Sequence, residues 1–255
     1  MSLEFWYLLP VAAAVGTAAM SAGISGSNFW IPIFVLGLRL DPRVSFLLAL
    51  ATMTFGFGAG VVRYARAGHI DRAQLRRLAR FAVPAAALGS LVAGRVEVEP
   101  LLATFAAFAA VQGALLLATA PAPLDPGSKR LPALAALGGL SQGLIATGSG
   151  GVVGSSMLAS RAEGEHATAV GTTVALVFAA SLASAAMRLD AGMRQTIAQG
   201  APTLWSMFVF LVPGALLGGQ IGPRLAAKLP RRALRRWAGA VLVVVAALVG
   251  ARALA

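Results

Sequence analysis

Gly143-Leu144-Ile145-Ala146-Thr147-Gly148-Ser149-Gly150-Gly151-Val152-Val153 interrupts apolar sequence with a glycine-serine break. A related break stands in the first half of the chain, at Ala22-Gly23-Ile24-Ser25-Gly26-Ser27-Asn28-Phe29-Trp30-Ile31-Pro32. Each follows a long apolar run and precedes a shorter one. In lipid every peptide group needs an internal partner, so unwound backbone survives only where protein or a water-filled cavity surrounds it. Two such breaks at corresponding places in two halves point to discontinuous helices and to a transporter's binding site. N–H groups left free at a half-helix N-terminus, together with the helix dipole, favour an anion.

The surrounding composition is that of a membrane protein. Of 255 residues 58% are hydrophobic and 12% charged, and the mean hydropathy is +0.80. A soluble domain carries roughly 25% charged residues. The expected fold is all-α, a polytopic transmembrane bundle. Met1-Ser2-Leu3-Glu4-Phe5 lacks a basic n-region, so the first apolar stretch reads as a resident helix and not a cleaved signal. The absence of cysteine excludes disulfides, thiolate metal sites and thiol relays. The formal charge of +12 comes from arginines clustered between apolar segments. That is the positive-inside pattern, and it argues against nucleic acid as a partner.

Taken in order, Phe5 to Ala22 is apolar, with Phe5, Trp6 and Tyr7 as an interfacial belt. Phe29 to Leu40 is too short to span, and Val44 to Val62 is long enough, with Gly56 and Gly60 spaced for close helix contact. Arg63 to Arg80 is basic, and from Arg72 it reads as an amphipathic linker on anionic lipid. Phe81 to Gly94 and Pro100 to Thr119 are apolar, separated by Arg95-Val96-Glu97-Val98-Glu99. Residues 121–131 are proline-rich and linker-like, which divides the chain into repeats at 1–120 and 132–255. Beyond the second break come a polar turn at Arg161 to His166, a span from Thr168 to Met187 and a near-neutral loop from Arg188 to Gly200. A span from Pro202 to Ile221, a basic stretch from Arg224 to Arg236 and a last apolar segment from Ala238 to Ala251 complete the chain.

The halves match at separated points. Gly26-Ser27 aligns with Gly148-Ser149, Ala51-Thr52 with Gly171-Thr172, and the Pro84–Gly89 segment with Pro213–Gly218. The offsets are 122, 120 and 129 residues, as loops of unequal length allow. The basic loop precedes the Pro84 segment but follows the Pro213 segment. If basic loops face the cytoplasm, the two equivalent helices cross in opposite directions and the halves are inverted repeats.

This order of motifs resembles the TauE/SafE family of sulfite and organosulfonate exporters, over roughly Val11 to Leu248. The family pattern runs approximately Gly-xx-Gly-x-Gly-Gly-Gly-xxxx-Pro. The first copy here has Gly23, Gly26 and Pro32, with Ser27-Asn28-Phe29 where glycines are usual. The second has Gly148, Gly150 and Gly151, with Gly154 in place of the proline. The resemblance implies a carrier in the bacterial inner membrane for small sulfur-containing or carboxylate anions.

No ionisable residue lies well inside an apolar segment, which fits an anion held by amides and hydroxyls better than a proton or cation relay. The candidate substrate-binding residues are Ser25, Ser27 and Asn28 at the first break and Thr147, Ser149 and Gly150 at the second. Thr52, with Thr54 beside it, and Thr172 and Thr173 come from the spans that come next, and Gln142 precedes the second break. Hydroxyls in membrane helices also bond back to the i−4 carbonyl, and that use stays open for the threonines. Gln112 reads as interhelical glue, the Gly214, Gly218 and Gly222 series as packing, and His69 and His166 as loop residues.

The function expected is export of a sulfite-like anion by alternating access, with an anion channel or a permease for another small anion as the alternative. No cofactor, metal site or catalytic constellation is expected. The partners are the anion and the lipid bilayer, with a homodimer as one option for assembly.

Overall fold

The computed structural model describes residues 3–22, 24–118, 128–154, 156–157, 166–226 and 231–254. Gly23, linker residues 121–127, the turn Arg161 to Glu165 and Lys228 lie outside the described residues. Among the described residues every regular element is helical. In chain order they are α1 (Leu8–Ala22), α2 (Ser27–Pro32, extended by a wider π turn over Ile33–Gly37) and α3 (Pro42–Arg66). Then come α4 (Arg72–Ala93), α5 (Val98–Ala118), α6 (Arg130–Ile145) and a π turn over Gly150–Gly154. The rest is α7 (His166–Arg188), α8 (Ala191–Gln199), α9 (Ala201–Ala226) and α10 (Arg231–Leu254). Among the described residues six helices are long and apolar enough to cross a membrane, and the chain is a multi-pass membrane protein.

Helix ends obey local chemistry. Asp41 caps α3, accepting from the N–H groups of Arg43 and Val44 at 2.9 and 3.1 Å, with Pro42 in the first helical position. Gly68, at φ +72°, ends the same helix in the left-handed turn that glycine adopts without strain. Asp71 caps α4 through Gln74 N–H, and Asp190 caps α8 through Met193 N–H.

Helices from the two halves interleave. α1 packs along α9, and α4 along α6. Both crossings are bare-backbone contacts. A Cβ on Gly214 would meet the Leu9 carbonyl, and one on Gly218 would lie 2.7 Å from the Ala13 carbonyl. A Cβ on Gly139 would strike Ala82, and one on Gly143 the Ala86 carbonyl. Small residues let membrane helices approach this closely, so the glycine series is packing, as its spacing suggests. α3 lies against α7 and α9, α4 also meets α7, and α5 pairs with α10. The core where these meet holds Trp30, Phe34, Phe46, Leu50, Met53 and Phe105.

Three sequence expectations need correction. The basic stretch from Arg72 is not a separate surface linker, because α4 runs unbroken from Arg72 to Ala93 and buries Gln74, Leu78 and Ala82. Its arginines occupy the other face, and long stems carry their charges away from the apolar contact. Arg188 to Gly200 is not a loop: Arg188 closes α7 and is buried, and α8 fills most of the segment after it. His166 is the first residue of α7 and not part of a loop.

Candidate functional site

At the first break the chain turns tightly and uses its own donors. Ile24 N–H reaches the Ala19 carbonyl at 3.2 Å, closing the end of α1. Gly26 has ordinary right-handed angles, φ −65° and ψ −23°. Asn28 N–H donates to the Ser25 carbonyl, and Phe29 and Trp30 N–H both donate to the Gly26 carbonyl. Ser27 N–H donates to the Met53 thioether on α3 at 3.2 Å. The free amides expected at the start of α2 are therefore already paired. The Ser27 amide holds the weakest acceptor, since a thioether sulfur binds hydrogen poorly. The Ser25 and Ser27 hydroxyls lie 2.8 Å apart, and Ser25 also points at Met53.

The second break is built differently. Ala146 takes the left-handed conformation at φ 57°, and Gly148 has φ 137°. These reversals turn the backbone out of the helical ladder. Among the described residues the amides of Thr147, Gly148, Ser149 and Gly150 have no backbone acceptor, and the ladder resumes with Val152 N–H on the Gly148 carbonyl at 2.9 Å. The side chains nearby serve carbonyls. Gln142 Nε2 donates to the Ala146 carbonyl at 3.0 Å and to Ser181 Oγ at 3.1 Å, and Ser149 Oγ donates to the Gly138 carbonyl at 3.1 Å. Gln112 on α5 lays its amide against Gly151, where a Cβ would collide with it, so it does join helices there.

The two breaks touch. Thr147 Oγ1 donates to Asn28 Oδ1 at 2.9 Å, across 119 residues of sequence. Ser25, Ser27, Asn28, Thr147 and Ser149 are all at most 1% exposed. Asn28 Nδ2 is buried there without a hydrogen-bond partner. None of the nine acidic residues belongs to either break. What the junction offers is donors: one amide nitrogen, a set of hydroxyls and the second break's backbone N–H groups. A surface pocket of about 690 Å³ lies elsewhere, between Glu4, Phe5 and the start of α9, and its carboxylate suits an anion badly.

The family model for the sulfite exporter TauE/SafE matches residues 8–249. The chain belongs to the TauE/SafE family. Membership implies a membrane exporter of sulfite or a related small anion. No curated protein and no solved structure matches the chain.

In this TauE/SafE chain the remaining candidates are placed as follows. Thr52 and Thr54 bond back to the Leu48 and Leu50 carbonyls, each at 2.8 Å, the i−4 use common to hydroxyls in membrane helices. Thr172 bonds back to Thr168 and accepts from Asp71 N–H at 2.9 Å, so it ties α7 to the α3–α4 connection. Thr173 bonds back to Ala169 and approaches Met157. Gly150 is buried where the π turn begins.

Arg188 is the residue that sequence reading missed in this TauE/SafE chain. It is 8% exposed and donates to the Gly143 and Leu144 carbonyls at 2.7 and 2.9 Å, immediately before the second break. Its guanidinium lies over Phe46, 5.4 Å from the ring centroid. A basic residue at the end of a long apolar span was the available signal, and adjacent Leu189 and Asp190 made it look solvated.

Proposed function

We propose that the protein is a secondary transporter that exports a small sulfur-containing anion, sulfite or an organosulfonate, across the bacterial inner membrane. The anion binds mid-bilayer at the Asn28–Thr147 junction and replaces the weak or missing partners found there. The observation that carries this reading is the hydrogen bond between the breaks, with an unpartnered Asn28 amide beside it. In a site free of carboxylates, a buried donor set is complementary to an oxyanion.

The helix pairing supports inverted repeats with discontinuous helices. Exchanging α1 with α6, α3 with α7, α4 with α9 and α5 with α10 turns each major contact into another: α1–α9 becomes α6–α4, and α3–α9 becomes α7–α4. Because partners come from opposite halves, alternating access moves mixed units, α1 with α9 against α4 with α6, and not residues 1–120 against 132–255. The closed junction favours a carrier over a channel, which would need a continuous path. One chain supplies all the site residues, so the reading needs no second copy.

The test is a binding screen of sulfite, sulfoacetate, thiosulfate, sulfate and small carboxylates on purified protein. Hydrogen bonds to charged groups contribute about 1.5–3 kcal/mol. Asn28→Ala should therefore weaken the preferred anion by roughly 10–100-fold, and Thr147→Val by less. Unchanged binding in both variants overturns the site. Single-channel currents in a bilayer would overturn the carrier, and saturable counterflow supports it.

A further inference from the structure

Resting on the reading of the Asn28–Thr147 junction as the anion site, we infer that α7 lines the anion's path from that junction to the outer face, with Arg188 as its exit gate. Ser181, Ser184 and Arg188 stand at i, i+3 and i+7 and so share one face of α7. All three are buried. The face starts beside the second break, where Gln142 bridges Ser181 and the Ala146 carbonyl. It ends where Arg188 covers the Gly143 and Leu144 carbonyls.

Three buried polar atoms along this stripe have no hydrogen-bond partner: Gln142 Oε1, Ser184 Oγ and Arg188 Nε. Buried polar groups are normally paired, so three orphans in one row mark a place that water or a solute occupies at another stage of the cycle. A guanidinium is also more than a carbonyl cap requires. Arg188 has no carboxylate partner among the described residues, and Arg43 stands one turn before the Phe46 ring that lies under its guanidinium. The Arg43 guanidinium in turn donates to the Gly94 and Val96 carbonyls. Two guanidiniums held by carbonyls make a positive end to the stripe. A buried charge held without a counter-ion inside a membrane protein is costly and is kept where solutes pass.

The stripe has no counterpart in the other half. With the 120-residue offset of the Thr52–Thr172 match, Ser181, Ser184 and Arg188 correspond to Val61, Tyr64 and Gly68 at the end of α3. Of these two sets of positions only the α7 set holds a buried guanidinium. Thr172, in the first turns of α7, bonds to Asp71 in the basic α3–α4 connection, so α7 ends toward the other face, the side where an exported anion leaves if basic loops face the cytoplasm.

The chain's lack of cysteine gives a direct test. Ser184→Cys is reconstituted as the full chain in right-side-out vesicles. It is then exposed from outside to an anionic and to a cationic methanethiosulfonate reagent, with rates normalised to a free thiol. The introduced thiol should react, and the anionic reagent should be favoured by about tenfold, the lower end of what an oppositely charged cleft achieves. Arg188→Gln in the same background should remove the preference, and Arg188→Lys, the variant that keeps the charge, should retain it. In parallel, Ser184→Val should cut sulfite efflux from loaded vesicles at least tenfold while sulfite affinity stays within about twofold. An unreactive thiol in Ser184→Cys, a preference that survives Arg188→Gln, or normal efflux in Ser184→Val overturns the path. Because Asn28→Ala reads binding and these variants read access and efflux, the path can fail while the junction stands.

Discussion

At the first break no described residue has a positive φ and Gly26 has ordinary helical angles, whereas at the second Ala146 and Gly148 both reverse. The first break spends its amides locally, on Ser25, Gly26 and the Met53 sulfur. The second keeps its carbonyls satisfied by side chains, Gln142, Ser149, Ser90 and Arg188, and leaves four amides without backbone acceptors. Similar glycine-serine composition thus makes two different structures. One is a compact turn that presents Asn28. The other is a strained turn, propped from outside, that presents Thr147 and a row of N–H groups.

The sharpest way to break that contrast is to add one methyl group to each glycine. Gly148→Ala puts a Cβ 2.6 Å from Ser141 Cβ and 2.9 Å from the Gly138 carbonyl, at a φ that alanine avoids. It should destabilise by about 2 kcal/mol or more, lowering the unfolding temperature in detergent by roughly 4–8 °C. Gln142→Leu leaves the Ala146 carbonyl and Ser181 without their donor, and a loss of about 1–3 kcal/mol is expected by the same measurement. Gly26→Ala meets nothing nearer than Met53 Cγ at 3.5 Å, Ala19 Cβ at 3.7 Å and Phe57 Cε2 at 3.8 Å, all ordinary contacts. It should stay within about 0.5 kcal/mol of wild type, or gain slightly from a stiffer unfolded chain. Thr54→Val, which removes only a back-bond, should change stability least, by no more than about 0.5 kcal/mol. Equal losses in Gly148→Ala and Gly26→Ala would erase the distinction between the breaks.

The positions of both breaks were legible because glycine, serine and asparagine stand out against apolar sequence, and the pairing of Asn28 with Thr147 is natural once two breaks are read as one site. The apolar spans also came from hydropathy, but the α8 segment reads as a loop, α10 begins at Arg231 inside the basic stretch, and α4 begins at Arg72. In α4 the arginines at 72, 76, 77 and 80 read as the polar face of an amphipathic linker on lipid, because sequence alone does not say that the opposite face, with Gln74 and Leu78, packs inside the protein. Met53 was invisible as a partner because a thioether in an apolar span reads as core. Thr172 was singled out by its repeat match with Thr52, and its hydroxyl bonds to Asp71 and Thr168, partners that the match does not reveal. Arg188 was lost at a boundary, where one residue of helix length separates a solvated charge from a buried one.

The interleaving of α1 with α9 has a consequence for biosynthesis. α1 is complete by Ala22, but the glycine-lined surface that receives it is not made until Gly214, Gly218 and Gly222 have been translated. At ~5–20 residues per second, α1 waits on the order of 10–40 s in the bilayer with its matching stripe unmet. During that interval lipid, the insertion machinery or a neighbouring nascent chain must shield it. Final assembly is therefore a late, concerted docking that comes after synthesis of both halves, and a truncation anywhere before α9 leaves the first helix an orphan.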